Sequence, residues 1–169
     1  MRRTLLFIMP IFLLAWFFVF GTSARAAGEP IAAVNTSNYY NDWKSGFSWP
    51  HTVSGGNQIL FVILHGDGDY VGQVSYNGQP MTLAVKRFYY ASYNNVAVFV
   101  YYLVNPPAGA HNIQVNLSYF VPFAASAITF ANVDLANPIN SAATFLDTAA
   151  NMSHGAAVAY PNSMLFDAV

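Results

Sequence analysis

The sequence predicts an all-β fold, an antiparallel β-sandwich, behind an N-terminal hydrophobic signal segment. Three observations carry this. First, Asn77-Gly78 sits between the β-prone runs Gly72–Tyr76 and Gln79–Leu83. A two-residue type I′ turn needs positive φ at both centres, and these two residues tolerate it best. Second, Ile59–Leu64 and Val96–Val104 are near-continuous apolar runs of strand length, as expected of central strands covered on both faces. Third, Ile113, Val115 and Leu117 alternate with Asn112, Gln114, Asn116 and Ser118, so one face of that strand is buried and the other is wet. Beyond the N-terminus no stretch keeps a capped 3.6-residue apolar period. A transmembrane barrel, the competing all-β reading, requires polar lumen faces, which the strongest strands lack.

Composition narrows the function. Only 8% of the 169 residues are charged, against a usual value of about 25%. The aromatic load is high, with 14 Phe, 11 Tyr and 3 Trp, and aromatic residues favour strands. A net charge of −1 with 6 Lys plus Arg provides no electrostatic footprint for nucleic acid. The absence of cysteine excludes disulfides, thiolate metal sites and cysteine nucleophiles.

The N-terminus reads as an export signal. Arg2 and Arg3 precede the apolar run Leu5–Phe20, and Ala24-Arg25-Ala26 follows it. A basic start, a short apolar centre and an A-x-A-like end are the parts of a secretory signal peptide. Cleavage after Ala26 leaves a 143-residue mature chain with no stable membrane span, destined for secretion, the periplasm or the cell surface. The alternative is a retained anchor, since the run is only slightly shorter than a spanning helix; Pro10 within the run and the small-residue exit, which fits a peptidase site, favour cleavage. The expected division is therefore a signal peptide over 1–26, a leader over 27–44 and a β-sandwich domain over 45–169.

Taken in order, Gly28–Asn41 is small and polar, a leader strand or loop. Pro50 places Phe47–Val53 at a sheet edge or bulge, because proline cannot donate to a central ladder. Ser54–Asn57 turns the chain into the strand Gln58–His65, and Gly66–Asp69 loops before the hairpin. Thr82–Tyr90 continues extended; Ser92–Asn95 reverses the chain into Val96–Val104, which Asn105–Gly109 stops. His111–Ser118 and Ala124–Ala131 read as two further strands, the second built of small residues. Asn132–Asn140 is a loop, Ala142–Ala159 has no clear pattern, and Ser163–Val169 begins another strand.

The segments HTVSGGNQILFVILHGDGD, VSYNGQPMTLA, VFVYYLVNPPAGAHNIQVNLS and AITFANVDLANPI, spanning His51 to Ile139, together resemble a jelly-roll-like β-sandwich module. Such modules occur in exported bacterial, large surface and some phage-related proteins. The resemblance rests on structural turns, so it implies a fold and no chemistry. It also implies further strands after Ser163–Val169, which makes the domain incomplete at its C-terminus.

Three site readings follow. His65-Gly66-Asp67-Gly68-Asp69 places two carboxylates in a flexible loop, and Asp67, Asp69 and Asp134 together could bind calcium, which favours irregular oxygen clusters; the plainer reading is a solvated turn. His65 with Asp67 could begin a hydrolase site, but no G-x-S-x-G elbow exists, and His51, His111 and His154 lie in no catalytic or metal motif. The aromatic sets Tyr39, Tyr40, Trp43, Trp49 and Phe88, Tyr89, Tyr90, Tyr93 either fill a core or present rings to a ligand. Trp43, Trp49, Tyr89 and Tyr93 are the candidate ligand-binding residues.

The expectation is a secreted or surface-exposed, non-enzymatic module for adhesion or carbohydrate binding, with carbohydrate or a cell-surface protein as partner. A subunit of a filament or homo-oligomer, joined through an open edge at Ser163–Val169, is the alternative. A secreted hydrolase is the weaker one.

Overall fold

The computed structural model describes residues 29–90, 95–140, 142 and 163–165. These residues are all-β, in seven strands: β1 (Ala32–Val53), β2 (Ile59–Gly66), β3 (Val71–Tyr76), β4 (Gln79–Pro80), β5 (Thr82–Tyr90), β6 (Asn95–Val104) and β7 (Gly109–Ala131). Every pairing is antiparallel. β4, β3, β7, β2, β6 and β5 are successive neighbours, and β1 pairs with β7.

β1 follows β7 along its whole length, so the opposite edge of β7 is shared by two strands. β3 takes the part around Ile113–Leu117, and β2 takes Phe123–Phe130. The chain then passes from β4, paired with β3, through buried Met81 into β5, paired with β6. The sheet thereby comes back toward itself and is nearly closed.

The Asn77-Gly78 hairpin forms as its sequence predicts. Asn77 and Gly78 have φ of 48° and 75°, Tyr76 pairs with Gln79, and the Met81 amide donates to the Val74 carbonyl at 2.9 Å. The edge position expected for Pro50 also holds: among the described residues β1 pairs with β7 alone.

Both long strands bend. At about 3.3 Å per residue a straight strand would hold Tyr39 and Phe47 about 26 Å apart. Their rings instead stack at 5.2 Å, and Tyr39 also stacks on Trp49 at 5.9 Å. Register shifts between Asn41 and Lys44, and between Lys44 and Gly46, locate the bend. β1 carries an extra residue in the first interval, opposite Pro122, which has no N–H to offer. In the second, Leu117–Phe120 of β7 stand opposite Ser45 alone.

The bend lets one strand face build one core. Ile113, Val115 and Leu117 before it, and Val121, Phe123 and Ala125 after it, are all buried in the same cluster. Leu60, Val62 and Leu64 of β2 and Ala97, Phe99 and Tyr101 of β6 join them. The other face of β2 is apolar too: Ile59 packs with Phe130 and Val133 in a second cluster that Phe61 and Tyr102 extend. Central strands covered on both faces were the sequence expectation for β2 and β6.

A polar bridge crosses the main core. His51 is 2% exposed; its Nδ1 lies 2.8 Å from Ser37 Oγ and its Nε2 lies 2.7 Å from Thr129 Oγ1. Either tautomer satisfies both contacts, since each hydroxyl can donate or accept. Trp49 Nε1 donates to the same Ser37 oxygen at 2.9 Å. These contacts tie residues 14 positions apart in one strand to the far half of β7. Buried Tyr76 closes the neighbouring end, its hydroxyl donating to the Gly109 carbonyl at 3.0 Å.

One expected division changes. His111–Ser118 and Ala124–Ala131 are halves of β7, because the ladder to β1 resumes on both sides of the bend. The leader expected over 27–44 supplies, from Ala32 on, the first half of β1. Ser163–Leu165 carry no strand. The remainder of the strand expected at Ser163–Val169, the signal segment 1–26 and residues 143–159 lie outside the described residues. Among the described residues no helix is long and apolar enough to cross a membrane.

Candidate functional site

The bend sets the geometry of the candidate site. Trp43 lies within it at φ 49°, a conformation that is strained for a bulky side chain. The other non-glycine residues with positive φ among the described residues are Asn57, Asn77, Asn105 and Asn132, and asparagine tolerates that region. The strain at Trp43 accompanies display: the residue is 63% exposed, and Tyr40, three positions earlier, is 66% exposed. Tyr119 and Phe120, on the facing stretch of β7, are exposed as well. The Tyr70 and Tyr119 rings meet tilted at 5.4 Å, and the Tyr70 carbonyl accepts from the Ser118 amide at 2.8 Å.

Tyr40 also lines an open cleft with a volume of about 450 Å³, together with His65, Gly66, Asp67, Asn95, Val96, Pro122, Phe123 and Ala124. Its walls and floor follow from register. Ala124 pairs with Tyr40 on one side and with His65 on the other, and all three are exposed on the face away from the core. A methyl group between two large side chains makes a slot. Gly66 lets β2 end tightly against β7, since a Cβ there would stand 2.6 Å from the Phe123 ring and the Pro122 carbonyl.

The predicted ligand-binding residues divide. Trp43 is on the surface. Trp49 is 3% exposed and stacks on Tyr39 and Phe47, so it fills the core and cannot meet a ligand. Tyr89 is 42% exposed on β5 and pairs with Val96 of the cleft wall. Tyr93 lies outside the described residues.

The expected calcium set does not assemble. The Asp69 carboxylate accepts from Lys86 Nζ at 2.9 Å, and Asp134 Oδ1 accepts from the Ala136 amide. Asp67 follows Gly66 and Asp134 follows Ala131, at opposite ends of the β2–β7 ladder, about 23 Å apart at the usual rise. Among the described residues no three His, Asp or Glu groups come together. His65 and Asp67 both line the cleft, and no Ser, Thr or Cys is among its described lining residues.

Tyr119, Phe120 and Tyr70 were not marked by sequence reasoning. Period-2 alternation places Tyr119 with Leu117 and Val121 on the buried face, and only the non-local register shift turns it outward. No protein-family model, curated protein or solved structure matches the chain.

Proposed function

We propose that this chain is an exported, non-enzymatic β-sandwich module of jelly-roll-like form that binds carbohydrate through the aromatic surface at its bend. The observation that carries the reading is Trp43, held at a strained φ of 49° with its ring 63% exposed. Strain at an exposed aromatic is retained where its display serves recognition. Trp and Tyr rings present an apolar face with a polar edge, which suits the alternating C–H and O–H faces of a sugar. The sandwich form is supported by the contact of Ser37 and Trp49 with each other across the bend of β1.

Retention of the secreted protein on insoluble and gel-embedded polysaccharides tests this. Trp43→Ala should weaken retention about tenfold or more, since a stacked aromatic contributes up to a few kcal/mol at a desolvated contact, with no loss of thermal stability. Undiminished retention by Trp43→Ala, or no retention of the parent on any polysaccharide, contradicts the reading.

Assembly through an open edge is a second reading. It is favoured by β1, whose outer edge is unpaired among the described residues, although Pro50 and the bulges interrupt that edge. Light scattering across a hundredfold concentration range separates the two, because the assembly reading requires concentration-dependent oligomers.

A further inference from the structure

We infer that the outer face of β7 is the floor of an elongated binding groove for an uncharged, hydroxyl-rich glycan chain. This inference rests on the carbohydrate reading above and assigns it a site.

The floor is made of two small exposed residues, Ala124 and Ser126. Tyr40 and Asn38 of β1 stand on one side of them, and His65 and Ile63 of β2 stand on the other. Adjacent strands lie about 4.8 Å apart, so the two walls are separated by about 10 Å at the backbone. The groove runs along the strand, and its mouth widens into the cleft where Asp67 and Asn95 add polar groups.

Chemistry selects the ligand class. Tyr40 offers a ring face, and Asn38, Ser126, His65, Asp67 and Asn95 offer donors and acceptors for hydroxyl groups. No Lys or Arg is among the described residues that line the cleft, and the Asp67 carboxylate repels an anionic sugar. An extended peptide, which would bind by adding a strand, finds no backbone to pair with here. Both edges of β7 beside the groove are already taken, by β1 and by β2, and strand addition needs a free edge.

Affinity electrophoresis of the full chain tests the inference, in gels carrying a neutral β-glucan, a neutral galactomannan or polygalacturonate. The parent should be retarded by at least one neutral polymer. Ala124→Tyr, which fills the slot from an exposed position, should weaken that retardation at least tenfold, and His65→Ala should weaken it several-fold; both should melt with the parent. If Trp43→Ala abolishes retardation while Ala124→Tyr and His65→Ala leave it intact, the groove inference is overturned and the carbohydrate reading survives. If no polysaccharide retards the parent, both fall. Retardation by polygalacturonate alone, or by an immobilised extended peptide and not by a neutral polymer, overturns the ligand class assigned to the groove.

Discussion

Phe99→Ala is expected to destabilise the fold by about 3–5 kcal/mol, the usual cost of emptying a buried aromatic site. Phe99 is 1% exposed near the middle of β6. Its ring meets Phe88 of β5 edge-on at 5.6 Å and Phe123 of β7 at 6.2 Å. β2 lies between β6 and β7 in the sheet, so this one ring reaches across β2 to tie β6 to β7 as well as to β5. Truncation removes the transfer energy of the ring and leaves a void that β-sheet backbone cannot close. The chain has no disulfide to hold the fold meanwhile. Urea melts followed by tryptophan fluorescence measure the change; a loss below about 1 kcal/mol would mean that the inner face of β6 is not core, since fully buried Phe sites lose more.

Acid should unfold the protein through His51. Burial lowers the pKa of this imidazole below its ordinary value of 6.5, because the charged form loses its hydration. The folded state therefore binds fewer protons than the unfolded state at pH values between the folded pKa and 6.5. Stability contributed by neutral His51 is fully present above about pH 6.5 and declines as pH falls, by up to about 1.4 kcal/mol per pH unit until the folded pKa is passed. His51→Ala should remove this dependence and destabilise the protein at pH 8, since orphaning the buried Thr129 hydroxyl costs about 1–3 kcal/mol, whereas Ser37 keeps the Trp49 Nε1 donor. Melting temperatures from pH 8 to pH 4.5 for parent and variant measure both effects. A pH response unchanged by the substitution would place the acid sensitivity elsewhere.

What the sequence could reveal was local. Asn77-Gly78 specified its hairpin because turn chemistry acts over four residues, and the two-sided apolar run Ile59–Leu64 marked a central strand because burial is written into each residue. Pro50 marked an edge for the same reason. The bend was not readable, because it arises from mismatched register between strands separated by most of the chain. Trp43 and Trp49 illustrate the consequence. Six residues apart, they would share a face in a regular strand, and nothing in their local sequence separates them. Trp43 sits inside one register shift and a second separates it from Trp49, so one ring points to solvent and the other stacks in the core. The groove was hidden likewise: Ala124–Ala131 was recognisable as a strand of small residues, but the taller neighbours that turn Ala124 into a floor come from β1 and β2.

The folding of β1 back on itself decides both the core and the site, and nuclear Overhauser contacts test it most directly. Cross-peaks between Tyr39 ring protons and those of Phe47 and Trp49, together with contacts from Ser37 to the His51 imidazole, are the predicted result. Interstrand contacts from Tyr40 to Ala124 and from His51 to His111 without any between Tyr39 and Trp49 would mean a straight β1, and would contradict the account.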